Sequence, residues 1–447
     1  MIFCTAKTTR RKRSGGPVAK TNISKMRRAL MRSNTRLLLS AVMIFQAAAL
    51  LLLALEDNPL DVQALVLAVA VPVATMLVSV VMAKIWPVDR AIVIMAMLLC
   101  SVGIITLQDI ARSAVTPRNQ AIYACAGIVA MFAGAAFIRW FTAWKKWTPW
   151  LMALCVLALL TPLVFRDNSK NAYNWIRIAG ISIQPSEFIK PALILILASG
   201  LSNHPRFLKT LPTLGFAALC CGILLMEKDL GALLLYFLTT VLMFFVATSN
   251  WFLTLCGLGM GAGCAVIAYQ MFGYVRERIA IWQNPWSDPL DVGYQVVQSL
   301  IAIGSGGLFG TGLGLGMPRN IPLYHSDFIF AAIAEEFGLI FSVGLLAVYV
   351  LLIMRGLIVS ANARTSFHSL ASFGLVAMIG LQTMLIVGGN TKLLPLTGVT
   401  LPLISSGGSS LVSTFLSMGI LLGISSMNAQ DEAKDIDRIE LAEEVFS

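Results

Sequence analysis

Charge is scarce in this sequence. Only 12% of its 447 residues are Asp, Glu, Lys or Arg, while 57% are hydrophobic; soluble domains run near about 25% and about 45–50%. That shortage excludes an ordinary soluble globular chain. Histidine occurs three times, at His204, His325 and His368, and no HExxH is present, so no zinc site is expected. There is no CxxC, and seven of the eight cysteines lie inside apolar runs, where Cys behaves as a small hydrophobe. The run Gly304–Gly316 holds seven glycines, yet no GK[ST] follows it and none of its glycines takes GxGxxG spacing. A Walker loop and a dinucleotide fingerprint are therefore excluded. What is left for this run is a close-packed or re-entrant backbone segment, or backbone N–H groups lining an anion pocket.

Acidic residues are also absent from Met1–Arg36, which carries eleven Lys or Arg. The rest of the chain is balanced at 22 basic and 22 acidic residues, so the net charge of +11 belongs to this arm. Residues 1–36 read as a disordered basic cytoplasmic tail lying near anionic membrane lipids. No nucleic-acid partner is expected. A signal peptide is not expected either, because the polar stretch is too long for an n-region and many apolar segments follow it.

What the sequence has in abundance is long uncharged runs: Val62–Ala83, Ala91–Thr106, Ala121–Ile138 and Leu230–Asn250. About 20 apolar residues cross a bilayer as a helix, and only helices or closed barrels satisfy the backbone in lipid. The predicted fold is an all-α polytopic integral membrane protein with about 10–12 transmembrane helices. Twelve candidate spans lie at 37–55, 62–83, 91–107, 119–138, 149–165, 187–203, 210–226, 230–249, 251–273, 327–354, 367–389 and 401–426. The positive-inside bias of Lys84, Arg90, Arg139, Lys145, Lys146, Arg206, Lys209, Arg355 and Arg364 places both termini in the cytoplasm of a multi-pass cell-membrane protein. A membrane domain over 37–427 is then expected, with a large extracytoplasmic loop, 273–326, between the ninth and tenth spans. An acidic cytoplasmic tail follows over 428–447. No internal repeat or separate soluble domain is evident.

Polar residues cluster in the loops of the predicted outer face. The stretch Ile281–Gln298, IWQNPWSDPLDVGYQVVQ, holds Asp288 before a proline and Asp291 three residues on. A carboxylate held by rigid flanks can act as a general base, or both acids can simply solvate a loop. In QPSEFIK, Glu187 and Lys190 lie three apart on one helical face, as a structural ion pair or as the polar floor of a cavity. Pro191 is expected to kink that helix. In the turn Glu227-Lys228-Asp229, Asp229 is either an exposed turn residue or faces inward. Glu335 and Glu336 sit well inside a span, where two adjacent acids cannot both face lipid. Ser405-Ser406-Gly407-Gly408-Ser409-Ser410 offers either close helix contact or hydroxyls for phosphate oxygens.

The order NWIRIAGISIQPSEFIK, EKDLGALL, WQNPWSDPLDVGYQVVQSLIAIGSGGLFGTGLG, HSDFIFAAIAEEFG and TGVTLPLISSGGSSL resembles the SEDS family (shape, elongation, division and sporulation), across roughly Asn174–Leu411. The W-x-N-P-W loop leans toward its FtsW-like members. Ten spans are usual in that family, so twelve imply two extra near the amino terminus.

The resemblance implies a peptidoglycan glycosyltransferase that polymerises lipid II at the outer face of the cytoplasmic membrane, with undecaprenyl pyrophosphate leaving and inversion at the anomeric carbon. It places the essential loop aspartate on Asp288 and the ion pair on Glu187 and Lys190. Arg278, Gln295, Gln298, Asp229, Glu335 and Ser409 become cavity candidates. The departing pyrophosphate needs neutralisation by Arg, Lys or a divalent cation, Mg or Mn; no organic cofactor is implied. The implied partners are a class B penicillin-binding protein transpeptidase and other division or elongation proteins. Three positions depart from the family pattern: Asp291 stands for Gly, Asn174 for Arg, and Ser406 for Tyr. A lipid II flippase and a scaffold recruiting a transpeptidase are the competing functions.

Overall fold

The computed structural model describes residues 17–56, 61–110, 115–141, 144–165, 174–178, 181–202 and 207–446. It contains fourteen α-helices among these residues and one two-stranded hairpin. In chain order the helices are α1 (Pro17–Glu56), α2 (Val62–Ile85), α3 (Arg90–Ile110), α4 (Val115–Trp140), α5 (Trp144–Val164), α6 (Pro185–Leu201), α7 (Phe207–Met226), α8 (Leu230–Thr248), α9 (Trp251–Met271), α10 (Gly273–Gln283), α11 (Tyr294–Gly306), α12 (Ile329–Ala361), α13 (Ser366–Asn390) and α14 (Gly408–Phe446). The antiparallel strands β1 (Ile176–Ile178) and β2 (Ile181–Ile183) precede α6, with Arg177 opposite Ser182.

Eleven of the helices are long and apolar enough to cross a membrane. The protein is thus a multi-pass, all-α membrane protein, as its composition predicts. The predicted span at 187–203 corresponds to α6, which has 17 residues and is buried in the same bundle through Leu193, Ile194 and Leu197. It stays helical through Pro191. The last span starts at Gly408, not at 401, because Leu401–Ser406 is a turn that caps the bundle.

Packing follows small residues, as it must where lipid offers no hydrophobic drive between helices. Helix α14 lies against α4 with Gly419 on the backbone of Met131 and Gly423 on Ala135, so close that a Cβ at either glycine would collide with the facing backbone. Helix α3 is almost wholly buried at the centre, whereas α9 is almost wholly exposed at the edge. The hairpin α1–α2 closes one side through Gln46 Nε2, which donates to Thr75 Oγ1 at 3.1 Å, and through Phe45, stacked on Phe341 of α12.

Residues 17–36 of the arm expected to be disordered are helical and continuous with α1; residues 1–16 lie outside the described residues. The acidic tail is likewise helical, an extension of α14. Arg364 is paired there with Asp431 and Asp435. The loop over 273–326 is not irregular throughout: it holds α10 and α11, joined by a single 3-10 turn, Pro285–Ser287.

The alternation of helices puts the starts of α6, α8, α12 and α14 and the ends of α3, α5, α7 and α13 at one end of the bundle. Among the described residues, the buried charged side chains Glu187, Lys190, Glu227, Asp229, Glu335 and Glu336 all lie there.

Candidate functional site

Asp229 is the hub of that end. It caps α8, with Oδ1 accepting from the Ala232 N–H at 2.9 Å, the favourable place for a carboxylate on a helix dipole. Its Oδ2 accepts from Asn174 Nδ2 at 2.8 Å and Gln184 Nε2 at 3.0 Å. One buried carboxylate therefore ties both ends of the β1–β2 hairpin to α8. The hairpin in turn reaches α14, because the Gln184 N–H donates to Ser409 Oγ at 3.1 Å. The inward-facing reading of Asp229 is the correct one. Asn174, where the resemblance leads one to expect Arg, makes a neutral amide contact to the same acid.

Glu227, two residues away, is 1% exposed, and its Oε1 has no hydrogen-bond partner. Burial, and then the neighbouring Asp229 carboxylate, push its carboxyl up to about 8. Lys228 between them takes a left-handed φ of 62°. That turns its ammonium out over the Tyr274 ring of α10 at 5.8 Å, and the Tyr274 hydroxyl ties α10 down to Leu225 O at 3.0 Å.

Asp327, on the turn before α12, and Arg278, on α10, approach the same bare backbone at Gly398. A Cβ placed there would lie 3.6 Å from Asp327 Oδ2 and 4.0 Å from Arg278 Nη1. Gly398 has φ +74°, a conformation that glycine adopts without strain. Arg278 donates to Leu396 O at 2.9 Å. Burial pushes the Asp327 carboxyl up to about 6, against the pull of Ser326 and Arg278, and the Asp229 charge adds to the rise. The Asp327 turn is fixed from behind by the Asn390 amide donating to Asp327 O at 2.8 Å and by the Ser405 hydroxyl donating to Ser326 O at 2.6 Å.

Glu187 and Lys190 form the buried pair that the sequence predicts, with Nζ donating at 2.8 Å to both carboxylate oxygens. Lys190 also donates to Gln382 Oε1 of α13 at 3.1 Å. Gln382 Nε2 reaches Thr400 O at 2.7 Å, and Thr400 Oγ1 lies 2.6 Å from Ser410 Oγ. The Ser413 hydroxyl donates to Glu187 O at 2.5 Å. The pair therefore joins α6, α13 and α14 and turns no free charge toward a ligand, which favours the structural role over the cavity floor. Gln382, a lone amide in an apolar run, is the member that the sequence alone did not reveal.

Glu335 belongs to a different cluster. Helix α12 breaks at Gly338 (φ 80°), and the Gly-rich segment lies against the break. The Thr311 and Gly312 N–H groups donate to Glu335 O and Glu336 O at 2.9 and 3.1 Å, while Leu339 and Ile340 N–H donate to Gly307 O and Leu308 O at 3.0 and 3.2 Å. The segment is thus the close-packed backbone element, and its glycines admit peptide-to-peptide contact. Glu335 Oε1 accepts from the Met317 N–H at 2.9 Å, and Asp109 of α3 accepts from the Gly314 N–H at 3.1 Å. Both glutamates are buried, more than the sequence argument required.

Asp288 stands apart. It closes the 3-10 turn with φ −143° and ψ 74°, outside the helical region that a following proline disfavours. Its backbone O accepts from the Gly293 N–H at 3.0 Å, and a Cβ at Gly293 would strike Pro285 O and Asp288 O. The loop is therefore tightly folded. The Asp288 side chain is exposed and makes no hydrogen bond or ion pair among the described residues, and the same holds for Asp291. Gln295 and Gln298 are half-buried on α11 and are not joined to the Asp229 cluster by any side-chain hydrogen bond. The end of the bundle thus brings together Asp229, Ser409, Arg278 and the Glu187–Lys190 pair, but not Asp288, Gln295, Gln298 or Glu335. Among the described residues, no three His, Cys, Asp or Glu side chains converge as a metal cage.

A family model described as "Cell cycle protein", spanning FtsW, RodA and SpoVE, matches residues 82–430. The chain belongs to this family. Helix α1 and nearly all of α2 lie outside the match. Among its relatives, the protein named peptidoglycan glycosyltransferase RodA from Mycobacterium tuberculosis is 38% identical over 291 residues, 62% of each chain. The match thus spans 62% of that relative's length. Stage V sporulation protein E of Bacillus subtilis is 34% identical over 362 residues, covering 75% of this chain and 96% of the relative. Of solved structures, one described as structural coordination of polymerization and crosslinking by a peptidoglycan synthase complex superposes with a TM-score of 0.65. It is 27% identical and covers 77% of this chain and 99% of its own. The rod-shape-determining RodA of Thermus thermophilus superposes with a TM-score of 0.57 at 26% identity, covering 76% and 96%.

Proposed function

We propose that this chain is a peptidoglycan glycosyltransferase that polymerises lipid II in the service of cell division or cell shape. The observation that supports this best is the convergence of the QPSE, EKD, HSD and SGGSS segments, far apart in sequence, around Asp229 at one end of the bundle. That end faces outward in our reading, with both termini cytoplasmic. Lys84, Arg90, Arg139, Lys146, Lys209, Arg355 and Arg364 all lie at the opposite end, as the positive-inside rule requires.

In this reading the Asp288 carboxylate takes the proton from the acceptor sugar's 4-hydroxyl. The hydroxyl oxygen forms its bond to the donor's anomeric carbon from the face opposite the leaving group. The bond from that carbon to the phosphate oxygen breaks, and undecaprenyl pyrophosphate departs with the electron pair and inversion results. An exposed, unpartnered carboxylate on a tightly folded turn suits this role, because nothing competes for the incoming proton. Bound Mg or Mn would neutralise pyrophosphate charge. Such an ion commonly binds through one or two carboxylates together with substrate phosphates, and among the described residues no three His, Cys, Asp or Glu converge on it. The exposed α9 leaves surface for a class B penicillin-binding protein, the partner that would crosslink the new strand.

The test is lipid II polymerisation by the purified protein with that transpeptidase, native against Asp288→Ala. Glycan from the native protein and none from the variant is expected. Undiminished glycan from Asp288→Ala would overturn the assigned base. Movement of lipid II across liposomes without any polymerisation would replace the enzyme reading by a flippase.

A further inference from the structure

Helices α5 and α7 run the same way through the membrane, and α6 packs on both. Near the ends at which they begin, α6 fastens each of them. Thr148 Oγ1 lies 2.9 Å from Ser199 Oγ, and a Cβ on Gly200 would strike the Thr213 side chain. On the lipid side the two helices leave an open groove of about 490 Å³. Its lining is wholly apolar, with Ala153, Val156 and Leu157 from α5 and Pro212, Phe216 and Leu219 from α7. Small residues open it: a Cβ on Gly215 of α7 meets nothing within 4 Å, and Ala153 and Pro212 are exposed. The buried Phe216 is its floor, and the exposed Leu157 and Leu219 are its rims.

The groove has a basic mouth. Lys146 precedes Ala153 by seven residues, and Lys209 precedes Phe216 by seven. Seven residues bring a helix back to within about 20° of the same face and cover about 10 Å. Both lysines therefore stand on the faces that line the groove, displaced toward the leaflet in which α5 and α7 begin. That leaflet is the cytoplasmic one in the orientation proposed above. Both lysines are exposed, and neither makes an ion pair among the described residues. A lysine near a helix end lays its stem on apolar surface and carries its ammonium to the interface. The exposed Trp147 and Trp150 mark that level, where indole rings sit among headgroups.

Size and charge together select the occupant. Two turns of a helix about 10 Å across fill about 850 Å³, so the groove is too small to seat a partner's helix. A single acyl chain needs no polar partner and suits an apolar lining. Two ammonium groups without acidic partners complement a phosphate. We propose that the groove between α5 and α7 binds one anionic phospholipid, its chain on Ala153, Pro212 and Phe216 and its phosphate between Lys146 and Lys209. The site is separate from the Asp229 cluster and from Asp288, and it does not depend on the polymerase reading.

The test is lipid binding to the full-length protein in neutral detergent, read as apparent Kd by native mass spectrometry. Phosphatidylglycerol should bind the native protein at least tenfold more tightly than phosphatidylcholine. A lysine near an anionic headgroup is worth about fivefold, so the double variant Lys146→Gln/Lys209→Gln should bind phosphatidylglycerol about 25-fold more weakly. Gly215→Phe, which fills the groove and leaves the lysines in place, should weaken it at least tenfold. Lys434→Gln removes a charge from the distant extension of α14 and should stay within twofold of native. Unchanged binding in both groove variants would overturn the site. So would equal weakening by Lys434→Gln, which would mark attraction to overall charge. Glycerol phosphate competing as well as the intact lipid would reduce the site to a free-phosphate contact and overturn the chain in the groove. Undecaprenyl phosphate binding more than tenfold more tightly than phosphatidylglycerol would replace the phospholipid by the carrier lipid. Polymerisation has no part in this measurement, so loss of the glycosyltransferase reading would leave its result standing.

Discussion

Two acids of this protein invite the same reading and live in opposite surroundings. Asp229 is buried and accepts three N–H groups, one from the helix it caps and two from the flanks of the hairpin. Asp288 is exposed, at the tip of the α10–α11 turn, with its side chain bonded to nothing described. A carboxylate saturated by donors is a poor base and a good anchor; one held in a rigid turn with free lone pairs is the reverse. The contrast assigns position to one and chemistry to the other.

The largest expected effect breaks the contrast from the chemical side. Asp288→Ala should lower polymerisation by about 10²–10⁴-fold, the usual worth of a positioned general base. Its melting temperature should match the native protein within about 0.5 kcal/mol of stability, as for an exposed residue without partners. Parallel glycan gels and thermal melts check both. A variant that melts early would make Asp288 an anchor too, and the contrast would vanish.

Asp229→Ala should do the opposite. It removes a helix cap, worth about 1 kcal/mol, and strands the buried Asn174 amide at about 1–3 kcal/mol, while the half-buried Gln184 amide can turn to water. A loss of about 3 kcal/mol is expected in denaturant unfolding, with Asp229→Asn recovering the cap and part of the loss. Full stability in Asp229→Ala would show that the hairpin is held by something other than this acid.

Glu227 sharpens the comparison with a pH dependence. Its carboxyl is raised to about 8 by burial and by Asp229, against about 4.3 in an unfolded chain. The folded state therefore holds a proton that the unfolded state has released. The stabilisation it contributes is complete below about pH 4 and is lost as pH rises to about 8. Between pH 5 and 8 the native protein should lose about 3.5 kcal/mol from this group, and Glu227→Gln should flatten that slope. Equal slopes in the two proteins would mean that the carboxyl is charged in the fold.

Much of this was legible in the sequence. Run lengths located the twelve apolar segments, and the i, i+3 spacing of Glu187 and Lys190 foretold their ion pair. Two adjacent acids inside a span marked at least one of Glu335 and Glu336 as turned away from lipid. What spacing cannot carry is contact between distant segments. Nothing in EKD says that Asn174 and Gln184 will meet Asp229, and Asp327 read as one more motif residue until Gly398 brought Arg278 beside it.

The smallest effect is the most discriminating. Asp291 lies three residues from Asp288 on the same turn, is equally exposed, and stands where the family resemblance leads one to expect glycine. Its backbone O accepts from the Tyr294 N–H at 3.1 Å, which opens α11 and does not involve the side chain. Asp291→Gly should therefore leave stability within about 0.5 kcal/mol and polymerisation within about twofold, because the turn is fixed by Gly293 and Pro289 and not by this carboxylate. If instead Asp291→Gly abolished glycan synthesis while Asp288→Ala spared it, the base would sit three residues further along, on the helical side of the turn. The rule that a rigid residue before proline carries the chemistry would then fail here.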